Sequence, residues 1–271
     1  MIKELQKIEL DILKDFIRVC EELNLNYYLI GGTLIGAVRH KGFIPWDDDI
    51  DVCMLRKEYD IFIEKGQKLL NKNFFLQTYR TDKEYSNSFA KIRNSNTTFI
   101  ETSVKNKKMN QGIFIDIFPI DNYYHYNTIK VKMLNYLIHP ELINNRKLIK
   151  TISLLVYKVF YSKKTKEDLC KELEKIYVKN NTKKSNKVSN YGGAWGTKRE
   201  THRIECFKNY KTVKFEKIDV KIPIGYDEML TTTYGDYMKL PPKEKQVTHH
   251  YTDIIDTKKS YKEYININKE K

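Results

Sequence analysis

The chain has 271 residues, of which 41% are apolar and 13% aromatic, and this composition is sufficient to build a hydrophobic core. A disordered or fibrous protein is therefore excluded. The 49 Lys and Arg residues outnumber the 35 Asp and Glu residues by 14, which indicates anionic partners such as nucleotides, phospholipid headgroups, acidic glycans or nucleic acid, or else a solvated Lys-rich surface.

The N-terminal residues predict a helix, a strand and a glycine turn. Apolar side chains recur every three or four positions over residues 3–24, as on one face of an amphipathic helix. Residues 27–30 have the composition of a short strand, which leads into the Gly31-Gly32 turn. Thr33 is positioned to cap a second, short helix that continues to about His40.

Further strands and one more helix are predicted up to residue 118. Pro45 interrupts the chain, the apolar alternation over residues 50–54 predicts a strand, and the apolar spacing over residues 59–70 predicts a helix. More strands are predicted at residues 74–79, 89–93, 97–101 and 113–118. This order of elements predicts an α/β (α+β) fold in which helices flank a mixed sheet.

The amino-acid composition of the chain changes after residue 125. A helical region rich in Lys, Ile and Leu extends to about residue 180 and precedes a polar loop at residues 180–190. Short strands near residues 204–222 and a helix that starts near Gly225 complete the chain. We therefore predict three regions: a core at 1–125, a helical, basic region at 126–200 that faces a binding partner or a membrane, and C-terminal strands and a helix at 201–271 that complete the functional site.

The sequence predicts a cytosolic protein without a membrane span. Its four cysteines are scattered without a C-x-x-C pair, which indicates reduced core thiols, and residues 2–7 do not resemble a signal peptide. The longest apolar stretch, residues 148–161, is shorter than the ~20 residues that cross a bilayer. Burial is the default interpretation of this stretch, and a helix lying in a membrane interface is the alternative.

The most informative segment, residues 31–51, joins a glycine turn to a cluster of carboxylates. A helix that opens with Gly31 and Gly32 presents unpaired backbone N–H groups to an anion, while Asp49 and Asp51, two residues apart, share one face of a strand. Such close carboxylates repel each other unless a cation lies between them, and Mg²⁺ is the natural candidate. This layout is typical of a metal-dependent phosphoryl-transfer site.

Two other interpretations of the acidic cluster need weighing. Asp47-x-Asp49-x-Asp51 also begins like a calcium-binding EF-hand loop, with Glu58 at the twelfth position, but Val52 occupies the position that requires glycine. An acidic loop that caps a helix or faces water does not explain why four of the five residues at 47–51 are acidic in a basic chain. The metal-site interpretation is therefore favoured.

A third carboxylate, Asp116, stands in the predicted strand at residues 113–118. All of its close neighbours in that strand are apolar, and a charge inside such a strand is costly unless it is paired or bound to a metal. We therefore predict that Asp116 is a metal ligand. Asp121, which follows Pro119, is interpreted as an ordinary turn residue.

Several of these motifs resemble the LicD family of bacterial phosphocholine transferases, which has the fukutin-related proteins as distant relatives. The matching segments are residues 31–40, 44–51, 91–93, 97–101, 116–119 and 234–242, together with His249-His250. The resemblance covers most of the chain outside residues 125–200.

This resemblance implies a nucleotidyltransferase-like core in which a glycine turn and three carboxylates organise Mg²⁺, with Mn²⁺ as a substitute. The implied reaction transfers phosphocholine from CDP-choline, or from a related CDP-alcohol, to a glycan hydroxyl. By this resemblance Asp49, Asp51 and Asp116 bind the metal and Asp47 matches the family's leading aspartate, so these four are the predicted catalytic residues. Asp116 is our choice for the group that accepts the proton of the attacking hydroxyl.

Other residues are predicted to contact the substrates. Lys91 and Arg93 share one strand face and suit phosphate, and Trp46 suits an aromatic box for a quaternary ammonium. His249 and His250, adjacent in the chain, are assigned a substrate-binding or loop-ordering role rather than zinc binding. The predicted substrate-binding residues are Gly31, Gly32, Thr33, Arg39, Trp46, Lys91, Arg93, His249 and His250.

The predicted partners follow from that reaction. A glycan acceptor carried on a lipid would bring the protein to the inner leaflet of the cytoplasmic membrane, where residues 148–161 and basic side chains make peripheral contact. Nucleic acid is not an expected partner. Three alternatives stay open: a nucleotidyltransferase that uses an NTP and releases pyrophosphate, a sugar transferase that uses Asp49-Ile50-Asp51 as its metal motif, and a non-catalytic basic module that binds anionic polymers.

Overall fold

The computed structural model describes residues 1–126, 128–140, 151–152 and 155–267. The described helices are α1 (Ile2–Glu22), α2 (Gly31–Ile35), α3 (Arg56–Leu69), α4 (Thr128–Ile138), α5 (Lys166–Val178), α6 (Tyr226–Tyr234) and α7 (Tyr261–Ile267). The described strands are β1 (Tyr28–Leu29), β2 (Asp51–Leu55), β3 (Phe74–Gln77), β4 (Ala90–Asn94), β5 (Thr98–Glu101), β6 (Ile113–Asn122), β7 (Lys187–Ser189), β8 (Thr201–Arg203), β9 (Tyr210–Phe215), β10 (Ile218–Pro223) and β11 (Thr252–Asp256). The mixed α/β fold predicted from the sequence is confirmed.

A mixed sheet forms the centre of the fold. Its strands follow the order β1-β2-β6-β4-β3, and β7 pairs with β6 and also with β8. The pairing of β2 with β6 is parallel, whereas β1 with β2 and β4 with β6 are antiparallel. Because β6 is flanked by β2 and β4, its residues are buried along almost the whole strand.

Helices α1 and α3 pack against this sheet and enclose its main hydrophobic core. The apolar face of α1, with Leu5, Ile12 and Phe16, is fully buried, as its periodicity predicted. Phe16 meets Phe62 of α3 edge to face, with the ring centres 5.0 Å apart. A smaller cluster, which includes Leu134 of α4 and Leu173 of α5, packs these two helices together. The four cysteines are free and buried, as predicted.

The sequence missed the true end of β6. Asp121 is a buried strand residue and not a turn residue: its two carboxylate oxygens each lie 2.7 Å from a guanidinium nitrogen of Arg56. Pro119 suggested that the strand ends there, yet it lies within the strand, in register with Met54 of β2. The extension also lets β6 pair with β7, which occupies part of the predicted polar loop at 180–190.

The C-terminal elements β11 and α7 were not predicted either. Strand β11 pairs with β5, so the end of the chain returns to the region around Phe99. Its side chains are nearly all partly exposed, so the strand lacks the clear apolar alternation by which strands are recognised.

The default expectation that residues 148–161 are buried is wrong for four of the apolar side chains described there, whereas Val156 and Tyr161 are partly buried. Ile152, Leu155, Val159 and Phe160 are 45 to 71% exposed. Residues 148–150, 153 and 154 lie outside the described residues. Among the residues that the structure describes, no helix has the length and apolar character needed to span a bilayer.

Candidate active site

Three carboxylates predicted as ligands meet at one cavity. The parallel register pairs Asp51 of β2 with Asp116 of β6, and paired residues on neighbouring strands are about 4.8 Å apart and point to the same face. Asp49 lies in the segment that leads into β2. All three line a cavity of about 350 Å³ beside Gly31 and Tyr234.

The glycine turn lets the backbone approach these carboxylates closely. Gly31 has a φ of +62°, and a Cβ at this position would lie 2.6 Å from Oδ2 of Asp51. A Cβ at Gly32 would lie 2.9 Å from Oδ2 of Asp47. Both positions therefore require glycine because the space of a side chain is occupied by a carboxylate. Of the two, Gly31 lines the cavity, whereas the open side of Gly32 faces Asp47.

Thr33 has a different role from the helix cap predicted for it. Helix α2 begins at Gly31 after Ile30, with no side-chain cap. The Thr33 hydroxyl instead accepts a hydrogen bond at 2.8 Å from the backbone N–H of Asp51. This buried bond fixes the start of β2, and therefore Asp51, against the glycine turn.

Burial and mutual repulsion disfavour the charged forms of these acids. Burial, followed by the charges of Asp49 and Asp48, raises the pKa of Asp47 to about 8. Burial raises the pKa of Asp49 to about 6, and it also raises the pKa of Asp51 and of Asp116. At neutral pH such a cluster needs protons or a cation to compensate its charge.

The side chains of Asp49, Asp51 and Asp116 have the chemistry that suits a hard divalent cation. All of their ligand atoms are carboxylate oxygens, which Mg²⁺ and Mn²⁺ prefer. Oδ2 of Asp47 is buried and accepts no hydrogen bond from any residue that the structure describes. Among the described residues, the acids whose oxygens all lie within 4.8 Å of one another are Asp47, Asp48 and Asp49, and Asp51 and Asp116 join no group of three that is this close.

Among Asp47, Asp48 and Asp49, Asp48 is the one whose carboxylate already accepts hydrogen bonds from described residues. Its carboxylate accepts hydrogen bonds from the backbone N–H groups of His249 and His250, at 3.1 and 3.2 Å, and Nδ1 of His250 lies 3.3 Å from Oδ1. Burial alone would raise the pKa of Asp48, but these bonds lower it. The same contact raises the pKa of His250 despite its burial. The two histidines therefore hold the C-terminal segment over the cavity, which both of them line.

Lys91 and Arg93 do share a face of β4, but they lie behind the carboxylates. Nζ of Lys91 is 2.7 Å from Oδ1 of Asp116, and it lies 3.3 Å from the centre of the Phe114 ring. The Arg93 guanidinium is buried and donates to Oε1 of Gln77 and to the carbonyl of Gly112. Both cations line a second cavity, of about 340 Å³, and not the one that holds the three carboxylates.

Arg39 and Trp46 are not among the residues that line the carboxylate cavity, and their substrate-binding roles stay predictions. Arg39 donates to the backbone carbonyls of Tyr237, at 2.5 Å, and Lys239, at 3.3 Å, and so anchors the C-terminal segment. Trp46 is half-buried and packs against the main hydrophobic core. Both residues lie in the segments at 31–40 and 44–51 that resemble the family, close in sequence to the acidic cluster.

The cavity and its surroundings contain residues that the sequence analysis missed. Trp195, Glu200 and Tyr234 line the cavity. Trp195 and Glu200 come from a region where no residue pattern pointed to function, whereas Tyr234 begins the matching segment 234–242 but was not assigned a role. Glu9 of α1 lies beneath the acids, and its pKa is raised by burial and by the charges of Asp49 and its neighbours. The apolar period of α1 could have revealed Glu9, since it falls on the buried face.

Two comparisons with known proteins identify the family. Residues 24–147 match the family model described as LicD/FKTN/FKRP, nucleotidyltransferase domain. A relative named lipopolysaccharide cholinephosphotransferase LicD, from Haemophilus influenzae, is 33% identical over 268 residues, which cover 92% of this chain and 96% of the relative. The chain belongs to the LicD family.

An uncharacterized protein from Rickettsia prowazekii is 28% identical over 112 residues, which cover 41% of this chain and 38% of that protein. The segment matched by the LicD model contains the glycine turn, the acidic cluster and Asp116. Trp195, Glu200 and His250 lie beyond it. The cavity of this LicD family member is thus built partly from residues outside the matched domain, and the predicted boundary at residue 125 stays a prediction.

The raised pKa values predict how pH and Mg²⁺ affect stability. Between the ordinary Asp pKa of about 4 and the folded-state pKa of Asp47, the native state binds more protons than the unfolded chain, so stability without metal falls as pH rises. Under the metal-site hypothesis, Mg²⁺ would take the place of those protons. Millimolar Mg²⁺ should therefore raise the Tm more at about pH 8 than at about pH 5.5, as measured by thermal melts.

Two variants complete this test. Asp47→Asn should raise the metal-free Tm at about pH 8, by roughly 2–4 °C for each kcal/mol of repulsion relieved. Asp11→Asn, at an exposed position of α1, is the matched control and should leave the Tm unchanged. An equal Mg²⁺ effect at both pH values would contradict the interpretation.

Proposed function

We propose that the protein is a Mg²⁺-dependent phosphotransferase that moves phosphocholine from CDP-choline to a hydroxyl of a lipopolysaccharide glycan. The observation that carries the proposal is the convergence of Asp49, Asp51 and Asp116 at one cavity beneath a glycine turn. It is supported by the 33% identity, over nearly the whole chain, to a relative named for lipopolysaccharide cholinephosphotransferase.

The reaction requires an attacking hydroxyl in line with the departing CMP, and positioning supplies most of the catalysis. Asp49, Asp51 and Asp116 would hold the cation, which when bound neutralises charge on the diphosphate oxygens. Gly31 leaves the start of α2 open to the cavity, so its backbone approaches the diphosphate without a side chain in between.

Asp116 is placed to handle the proton of the acceptor. As the hydroxyl oxygen bonds to phosphorus and the bond from phosphorus to the CMP oxygen breaks, Asp116 takes the hydroxyl proton. Burial raises the pKa of Asp116, whereas the Lys91 ammonium, 2.7 Å away, opposes that rise and fixes the carboxylate. Lys91 thus acts as a positioning residue behind the site.

Removing any of the three carboxylate charges should abolish the reaction. Asp49→Asn, Asp51→Asn and Asp116→Asn are each expected to lower CMP release from CDP-choline by at least about 100-fold, because each removes a charged ligand while keeping the side-chain shape. Release is measured by chromatography of CMP in the presence of Mg²⁺ and glycan acceptor. Circular dichroism checks that the variants fold.

Asp60→Asn, which changes an exposed carboxylate of α3, is the matched control and should keep wild-type activity. Full activity in all three site variants would show that the site is wrongly assigned. Pyrophosphate release from an NTP would instead support a nucleotidyltransferase. Salt-sensitive binding of anionic polymers with no released product would support a non-catalytic module.

We also propose peripheral contact with the inner face of the cytoplasmic membrane. Leu155, Val159 and Phe160 are 58 to 71% exposed in a segment that continues into Lys163 and Lys164. Exposed apolar side chains beside basic ones suit the interface of an anionic bilayer, and a lipid-carried acceptor would be met there.

Flotation with anionic liposomes tests this contact. The wild type should float with the vesicles at low salt, and a Val159→Asp, Phe160→Asp double variant should not, because it places charges where apolar side chains enter the interface. Ile224→Asp, at another exposed apolar position, should float like the wild type. Complete recovery of the wild type in the soluble fraction would count against membrane contact.

A further inference from the structure

The carboxylate cavity has an aromatic wall that the proposed chemistry does not explain. Trp195 and Tyr234 line it with their ring centres 5.3 Å apart and their planes at 77°, so the two rings form an open corner. Phe89 and Phe118 line the same cavity and contact each other, with ring centres 4.4 Å apart. Trp195 is 49% exposed, so part of its ring is open to a ligand.

Glu200 brings a negative charge to this aromatic wall. Its Oε1 accepts a hydrogen bond at 3.3 Å from the backbone N–H of Trp195. The carboxylate lies so close to Gly193 that a Cβ there would be 2.3 Å from Oε1. The missing side chain of Gly193 is therefore what allows Glu200 to occupy this position.

This carboxylate lacks a cationic partner. In the part of the chain that the structure describes, no Lys, Arg or His forms an ion pair with Glu200, although the chain carries 14 excess positive charges. The guanidinium of the neighbouring Arg199 lies instead over the Trp195 ring, 5.4 Å from its centre. Burial raises the pKa of Glu200 to about 6, so the group is largely ionised at neutral pH and still uncompensated.

We propose that Trp195, Tyr234 and Glu200 form the subsite for the quaternary ammonium group of the donor, and that Glu200 makes the enzyme select a cationic alcohol. A quaternary ammonium donates no hydrogen bond, so proteins hold it by aromatic faces and by a nearby negative charge, which are the two features combined here. The inference rests on the proposed function, because it places the donor's alcohol in the same cavity as the three aspartates.

The subsite distinguishes between the alcohols that a CDP donor can carry. A neutral alcohol such as glycerol would leave the Glu200 carboxylate desolvated and unpaired, which is costly. A primary ammonium such as that of ethanolamine would pair with Glu200, but it would lose hydration and present less surface to the aromatic corner. Choline satisfies both the charge and the aromatic faces.

Direct binding tests the subsite without requiring turnover. Isothermal titration calorimetry in Mg²⁺ compares phosphocholine with 3,3-dimethylbutyl phosphate, in which carbon replaces the charged nitrogen at the same shape. The wild type should bind phosphocholine at least about 10-fold more tightly than it binds the neutral analogue. Glu200→Gln should remove most of that preference, mainly by lowering the affinity for phosphocholine.

Variants of the aromatic wall and a matched acid complete the design. Trp195→Ala should weaken phosphocholine binding by a similar factor, and Trp195→Phe, which keeps an aromatic face, should restore most of it. Glu228→Gln changes an exposed carboxylate that pairs with Arg203 outside the cavity and should leave both affinities unchanged. Thermal melts confirm that each variant is folded.

The outcomes separate this inference from the proposed function. If the wild type binds both ligands equally, or if Glu200→Gln keeps the full preference, the subsite is wrong even when the wild type releases CMP from CDP-choline. If the preference is present and depends on Glu200 and Trp195 but CMP is never released, the subsite holds and the proposed reaction fails. An equal loss of affinity for both ligands in Glu200→Gln would also overturn the subsite.

Discussion

The parallel pairing of β2 with β6 is the constraint on which the site depends. It puts Asp51 and Asp116 side by side, although 64 other residues separate them in the chain, and the Thr33 hydroxyl and the glycine turn fix the start of β2 against them. The fold thereby concentrates negative charge that burial makes costly, and the raised pKa values of the aspartates express that cost. The cation that we propose would offset this repulsion and stabilise the arrangement.

The rest of the cavity is closed by the C-terminal part of the chain. Asp48 accepts hydrogen bonds from the backbone N–H groups of His249 and His250, and Arg39 donates one to the carbonyl of Tyr237. Charged side chains near the glycine turn therefore anchor segments that lie about 200 residues further along the chain. These contacts show that Arg39, which the sequence analysis assigned to substrate, also helps to assemble the wall. The cavity combines a buried acidic cluster with Glu200 in a basic chain. This combination would suit the proposed donor, whose phosphates would bind the metal and whose cationic group would lie beside Glu200.

Local patterns carried much of the prediction, and long-range contacts limited it. The α1 helix, the glycine turn, β2 and the unusual charge of Asp116 were visible because each depends on neighbouring residues. Trp46, which lies beside the acids in the sequence, packs against the main hydrophobic core, whereas Trp195 and Glu200 reach the cavity only through the tertiary fold. Asp121 was misread because Pro119 usually marks the end of a strand, and its buried partner Arg56 could not be inferred from spacing.

The central claim is that Asp49, Asp51 and Asp116 share one divalent cation. Crystals grown or soaked with Mn²⁺ test it directly, because the anomalous scattering of manganese locates the ion independently of the protein density. The account predicts one strong anomalous peak in the cavity, coordinated by oxygens of these three side chains. Absence of a peak at saturating Mn²⁺, or a peak bound only by Asp47 and Asp48 with Asp116 outside its coordination shell, would contradict it.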